Sequence, residues 1–256
     1  MDEACALAQE AALAAGRLLK EELGQVREVR HKGFRDLVTE LDLAAQAEIT
    51  ARIRQAFPGH GLMAEEDDSK PDLAGPIWIV DPLDGTTNFV HGLPAYSVSI
   101  CLALDGKLTV GVIFDPERDE LFWAKAGQGA WLNGRPMKVS GVDSLSQSLV
   151  VTGFAYDVEK HLDEDLARFG RMLVASQAVR RLGSAALDLA WVACGRMEAF
   201  WEEGLQPWDL AAGALLVVEA GGVVTSLQGG PFELLSGKIL ASNGLVQEEM
   251  VQALRL

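Results

Sequence analysis

The amino-acid sequence predicts a mixed α and β protein, an α+β half followed by a second half in which strands and helices alternate. Three observations carry this expectation. Apolar residues over 2–23 recur at helical spacing. From Tyr96 onward short apolar runs are divided by Asp105-Gly106 and Asn133-Gly134, which are hairpin turns. Beyond a Ser/Gly/Asp-rich seam at 140–148, strand-like and helix-like runs take turns.

In order along the chain, Leu7, Ala11, Ala14 and Leu18 share one helical face over 2–23, and Gly24 closes the run. A basic connector follows, His31-Lys32-Gly33-Phe34-Arg35, then Asp36-Leu37-Val38. Thr39 and Asp42 have the spacing of a capping box, which opens a helix to about Phe57, and Pro58-Gly59 ends it. Ala64-Glu65-Glu66-Asp67-Asp68 reads as a solvated acidic loop. Residues 78–81 are a short buried strand. Runs 96–104, 108–114, 121–124 and 130–132 make an antiparallel meander rather than βαβ units. The seam divides the chain into parts of about 1–142 and 143–256 within one unit. After it come a strand at 149–153, a helix at 161–174, a helix from Ser184 to Cys194 and a strand at 197–201. A helix at 208–220, strands at 223–224 and 239–241 and a short final helix complete the chain, without internal repeats.

Composition narrows the function. A chain of 256 residues, 49% hydrophobic and 23% charged, has ample core for one large or two closely packed domains. The net charge of −15 argues against nucleic acid, whose binding runs on Lys and Arg, and against an anionic membrane surface. Cys5, Cys101 and Cys194 are odd in number and far apart, which reads as reduced thiols in a cytoplasmic protein. Met1-Asp2-Glu3 lacks the basic start of a signal peptide. Run 211–224 is broken by Glu219 and glycines and is too short to span a bilayer. His31, His60, His91 and His161 have no zinc-ligand spacing and read as surface or capping residues.

The informative stretch is Trp78-Ile79-Val80-Asp81-Pro82-Leu83-Asp84-Gly85-Thr86-Thr87-Asn88-Phe89. A buried strand ends in two aspartates three apart, with the backbone stiffened by Pro82. Two such carboxylates repel unless a cation lies between them, and a hard divalent ion prefers oxygen ligands. Gly85 permits a tight turn, so the amides of Gly85, Thr86 and Thr87 can converge on an anion. Metal and anion together suggest a phosphate ester. Asp209 opens a helix, and taken alone it is a cap or a first-turn acid. It becomes a ligand candidate only if the Asp81 constellation draws on a distant segment, and the same holds for Glu65.

Asp81-Pro82-Leu83-Asp84-Gly85-Thr86-Thr87-Asn88-Phe89, with Glu65-Glu66 upstream and Trp208-Asp209-Leu210-Ala211-Ala212-Gly213 and Glu219-Ala220-Gly221-Gly222 downstream, resembles the inositol monophosphatase family. The likeness runs through essentially the whole chain. It implies a layered αβαβα sandwich, a homodimer, and a lithium-sensitive, Mg2+-dependent phosphomonoesterase with two or three Mg2+ per subunit. The implied metal ligands are Glu65, Asp81, Asp84, Asp209 and the carbonyl of Leu83. Glu65 and Thr86 would orient and deprotonate a metal-activated water that attacks directly, with no phosphoenzyme. Implied substrate contacts are Asp84, Gly85, Thr86, Thr87, Gly183, Ser184, Ala185, Glu202 and Asp209. Lys32 would stand near a third metal, and Arg180 or Arg181 would face substrate or partner.

The implied substrate is a small phosphorylated polyol. Fructose 1,6-bisphosphate, NADP, a nucleotide 3'-phosphate and histidinol phosphate are alternatives, as is a regulatory or binding protein on the same fold. A haloacid-dehalogenase-type phosphatase is disfavoured, because its partner aspartate would fall on Pro82. Two departures stand out: Ala64 replaces a usual Gly, and Gln206-Pro207 replaces the His-Cys of animal members.

Overall fold

Two sheets alternate with three layers of helices, and the polarity of each strand shows why. The structure, a computed structural model, describes residues 2–25, 29–31, 37–67 and 73–256. The first part contains α1 (Asp2–Glu22), the short pair β1 (Val29–His31) and β2 (Leu37–Thr39), and α2 (Glu40–Ala56). It continues with β3 (Gly61–Ala64), β4 (Pro76–Asp84), α3 (Thr86–Val90), β5 (Ser97–Leu104), β6 (Lys107–Asp115), β7 (Glu120–Lys125), β8 (Ala130–Leu132) and β9 (Arg135–Pro136). The second part runs β10 (Leu149–Thr152), α4 (Leu162–Ala175), β11 (Ala178–Arg180), α5 (Ala185–Ala193), β12 (Ala199–Glu203), α6 (Pro207–Glu219), β13 (Val223–Thr225), β14 (Lys238–Ser242) and α7 (Gln247–Leu254).

Strands β3 to β9 form a seven-stranded sheet in sequence order, the meander expected from the hairpin signals. Successive side chains leave a strand on opposite faces. Ile77 and Ile79 of β4 and Cys101 and Ala103 of β5 enter the core shared with α5 and α6. Trp78, Val80, Ile100 and Leu102, between them, enter the core beneath α1 and α2. Both faces of the sheet are therefore covered, so β4 reads as an unbroken apolar run. The five-stranded sheet, ordered β11-β10-β12-β14-β13, repeats the pattern. Val151, Phe200, Ile239 and Ala241 face α5 and α6, while Val150, Ala199, Trp201 and Leu240 face the core containing Met172 of α4 and Met250 of α7. The result is the αβαβα sandwich implied by the resemblance, with α5 and α6 in its middle layer.

Besides the short pair β1 and β2, three elements were not read from the sequence. β3 pairs parallel with β4, so the first sheet is not wholly antiparallel. β11 pairs parallel with β10 in the segment read only as a lead into a helix. Each is three or four residues long, too short for an alternation to register. The third, α3, is a single turn inside the motif itself. The capping box of α2 forms as expected: Thr39 Oγ1 accepts from the amides of Leu41 and Asp42, and Asp42 Oδ2 accepts from the Thr39 amide at 2.8 Å. Most of the basic connector, Lys32 included, lies outside the described residues. Cys5, Cys101 and Cys194 are free thiols, the first two buried. No helix among the described residues is long and apolar enough to cross a membrane.

The middle layer lies close against the first sheet. At Gly111 of β6, an added Cβ would stand 2.9 Å from the carbonyl oxygen of Ala212 in α6. The neighbour is backbone and cannot step aside. Gly111→Ala is expected to destabilise the protein by about 1–3 kcal/mol, the usual scale of overpacking, seen as a lower urea midpoint at unchanged slope.

Candidate metal centre and substrate cleft

Residues three apart on a regular strand point to opposite faces. Asp81 and Asp84 escape this because the register of β4 against β5 slips between them, pairing Asp81 with Ser99 but Asp84 with Ser97. The extra residue turns both carboxylates to one side. Pro82 suits the irregular segment, since it has no amide to leave unpaired. Asp81 Oδ1 accepts from the Leu83 amide at 3.0 Å. Asp84 Oδ2 accepts from the Ser184 hydroxyl, from the Ala186 amide at 2.8 Å and from Ser97 Oγ at 3.4 Å.

Asp209 arrives from the start of α6. Pro207 occupies the first turn, and Asp209 Oδ2 accepts from the Gln206 amide at 2.7 Å. Ser99 Oγ donates to the Trp208 carbonyl at 3.1 Å and pins this helix start to β5. The structure thus brings Asp81, Asp84 and Asp209 together, with ligand oxygens within 4.8 Å of one another. Glu65 follows β3 directly and its amide donates to the Val80 carbonyl at 3.2 Å. It lies outside that three-acid set, but its carboxyl shares a hydrogen bond with Asp81.

Burial drives the Asp81 carboxyl well above its ordinary range, and repulsion from Glu65, Asp84 and Asp209 adds to it. Asp209 is pushed the same way by burial and then Asp84. Asp84 is raised by burial too, against the opposing pull of the Ser184 hydroxyl and the Ala186 amide. Carboxylate oxygens that converge in this way are the donor set that a hard divalent ion takes. The cluster is capable of holding one.

The partner of Thr86 was missed in the sequence. Thr86 Oγ1 lies 3.1 Å from Asp42 Oδ1 and 3.0 Å from the Leu83 carbonyl. Asp42 is wholly buried, and the sequence shows only its capping role. Gly85, at φ +96°, starts the turn into α3, and a Cβ there would meet the Ala95 carbonyl at 3.0 Å.

A cleft of about 680 Å³ opens beside the cluster. Every substrate contact expected from the sequence lines it: Asp84, Gly85, Thr86, Thr87, Gly183, Ser184, Ala185, Glu202 and Asp209. Burial pushes Glu202 up to about 8, opposed by Arg181, which also lines the cleft. Arg180 is exposed and donates to the Val179 carbonyl. His91 also lines the cleft, and His60 Nδ1 accepts from Trp78 Nε1 at 3.2 Å. His161 occupies the N-cap of α4 without a side-chain bond there. Asp188 lines the cleft and was not anticipated. The available signal was a lone acid in the otherwise apolar α5.

Carboxylates carried from remote segments to one end of a cleft are the equipment of a metal-dependent hydrolase. Residues 1–256 match the model of the Inositol monophosphatase family. An inositol-1-monophosphatase of Synechocystis sp. is 47% identical, covering 97% of this chain and 87% of its own. The Nus factor SuhB of Pseudomonas aeruginosa is 45% identical, over 93% and 90% of the two chains. The solved inositol monophosphatase of Anabaena (Nostoc) sp. PCC 7120 superposes with a TM-score of 0.89 at 45% identity, covering 99% of this chain and 95% of that one. The chain belongs to the inositol monophosphatase family. It is a Mg2+-dependent phosphoric monoester hydrolase.

The raised carboxyls make a test of the metal site. Metal-free, the folded chain holds protons on Asp81 and Asp209 that the unfolded chain gives up near the ordinary value of 3.8. This stability is full below that value and is lost as pH rises through the raised folded values. In chelator, the melting temperature is expected to fall as pH rises above the ordinary carboxyl value of 3.8, and Mg2+ is expected to raise it more at the higher pH. Asp81→Asn should flatten both trends; calorimetry across the pH series checks this.

Proposed function

We infer that the chain hydrolyses a small phosphorylated polyol of the inositol monophosphate kind to the free alcohol and phosphate. The observation that carries this reading is the meeting of Asp81, Asp84 and Asp209 beside a cleft that Glu202 also lines. Two or three Mg2+ per subunit would be held by these aspartates with Glu65 and the Leu83 carbonyl. When bound, the ions neutralise the phosphate, lower the pKa of water and stabilise the leaving alkoxide.

The side chains supply the rest. Asp42 fixes the Thr86 hydroxyl, so that Thr86 and Glu65 orient the attacking water and take its proton. The amides of Gly85 and Thr86 receive the phosphate oxygens. The hydroxide so formed adds to phosphorus, the P–O ester bond breaks, and the leaving alkoxide takes a proton from solvent while the base returns its own to solvent. No side chain becomes phosphorylated. Asp84 holds its place through Oδ2, and Glu202 accepts from a polyol hydroxyl. The family name and that of the Synechocystis relative support inositol monophosphate over fructose 1,6-bisphosphate, NADP, a nucleotide 3'-phosphate or histidinol phosphate.

Asp84→Asn can keep its carbonyl oxygen on the three donors and turn an amide toward the metal. The fold should survive, and kcat should fall on the order of 10^3-fold, about 4 kcal/mol of lost electrostatic stabilisation. Wild-type turnover in this variant would sink the assignment. The name of the Pseudomonas relative supports a second reading, a regulatory protein on this fold. A panel of these phosphate esters with Mg2+, with and without Li+, separates the two: the enzyme reading requires Mg2+-dependent, Li+-inhibited turnover.

A homodimer fits the surface of α4, where Leu162, Leu166 and Leu173 fall on one stripe and are 46%, 54% and 55% exposed. Leu166→Asp should shift the protein to monomer in light scattering, because a charge buried without a partner is strongly unfavourable at an interface. The free, mostly buried thiols suit a reducing cytoplasm.

A further inference from the structure

We propose that Asp188 is a specificity residue: it receives a hydroxyl of the substrate's alcohol portion and, with Glu202, selects polyhydroxylated phosphate esters over hydroxyl-free ones. The proposal rests on the phosphomonoesterase reading above and extends it to a side chain with no role in that mechanism.

Helix α5 reads Ala-Ala-Leu-Asp-Leu-Ala-Trp-Val-Ala, and Asp188 is its sole charged residue. The Asp188 amide donates to the Ser184 carbonyl, so the two residues stand one turn apart on the same face. Ser184 touches Asp84, and Ser184, Ala185 and Asp188 all line the cleft. Asp188 is only 1% exposed. Its Oδ1 has no hydrogen-bond partner among the described residues. Buried carboxyl oxygens are almost always satisfied, and leaving one without a donor is strongly unfavourable.

Its surroundings define what would satisfy it. Asp188 shares the lining of the cleft with Glu202, the polyol-reading acid, and with Asp84 of the metal cluster. Asp188 is outside the group of acids whose oxygens converge within 4.8 Å. What remains is a donor carried by the ligand. Beside two acids, the uncharged alcohol portion of a phosphate ester offers that as a hydroxyl. Two carboxyl groups, Glu202 and Asp188, can then take two hydroxyls of one molecule, which an alcohol without them cannot match. Sites that hydrogen-bond a substrate hydroxyl discriminate strongly against analogues lacking it, because their own buried groups are left unpaired.

The alternative occupant is Arg181, exposed at the rim of the same cleft. If it merely pairs with Asp188, loss of the acid affects all phosphate esters alike. The experiment measures kcat and KM of the full-length, Mg2+-loaded protein on inositol 1-phosphate and 4-nitrophenyl phosphate, for wild type, Asp188→Ala and Asp188→Asn. Asp188→Ala is expected to lower the ratio of kcat/KM for inositol 1-phosphate over the aryl ester by about tenfold or more, mainly through KM. Asp188→Asn keeps an oxygen in position and should restore the ratio to within about threefold of wild type. Circular dichroism checks the fold, and if the alanine protein does not fold, Asp188→Leu, closer in volume, replaces it. An unchanged ratio, or equal losses on both esters, overturns the proposal. A wild-type protein that turns over the aryl ester but not inositol 1-phosphate would instead overturn the polyol reading, and this proposal with it.

Discussion

Repulsion among Asp81, Asp84 and Asp209 is the constraint around which the molecule is arranged. Two unit charges about 4 Å apart repel by about 4 kcal/mol at an effective dielectric of about 20. A whole domain is stable by only about 5–15 kcal/mol. Three ionised carboxylates with oxygens within 4.8 Å are therefore tolerable only with a counter-charge, or with protons retained. Each acid is held by a separate device: the Leu83 amide for Asp81, three donors for Asp84, and the α6 capping box for Asp209. None of these devices depends on the other two acids. The scaffold keeps the cluster assembled despite the repulsion, and the repulsion is what gives a divalent cation its affinity.

The devices belong to different layers. Asp81 and Asp84 end a strand of the seven-stranded sheet, Glu202 lies on β12 of the five-stranded sheet, and Asp209 and Asp188 are on the two helices between. The distance from the metal end to the alcohol end of the cleft is thus set by how α5 and α6 seat between the sheets. Gly111 permits the close approach on one side, and Ser99, bonded to the Trp208 carbonyl, fixes the start of α6 against the strand that faces the aspartates. Packing remote from the chemistry determines whether one ester can touch both ends.

Much of this was legible in the sequence because its signals are local. The hairpin turns at Asp105-Gly106 and Asn133-Gly134 gave the meander, and the Thr39–Asp42 spacing gave the start of α2. The two long motifs gave the aspartates. What escaped was non-local. β3 is defined by its parallel partner rather than by its four residues. The slip between Asp81 and Asp84 shows only against β5. Asp42 meets Thr86 across 44 positions of chain. Asp188 is one acid in an apolar helix, and only the fold puts it in the same cleft lining as Glu202 and Asp84.

Asp42 and Asp209 show why local and functional readings of one residue need not compete. Each is the third residue of a helix and closes a capping box with one carboxylate oxygen, satisfying an amide that would otherwise lack a partner. A carboxylate has two oxygens. At Asp42 the second reaches the Thr86 hydroxyl, and the Asp209 carboxylate also joins the acid cluster. The cap holds the side chain's rotamer before any ligand arrives, so little ordering remains when the second oxygen is engaged. A helix start is thus a good place for a residue that must be rigid and charged, and an aspartate that caps well is already half-way to being a ligand.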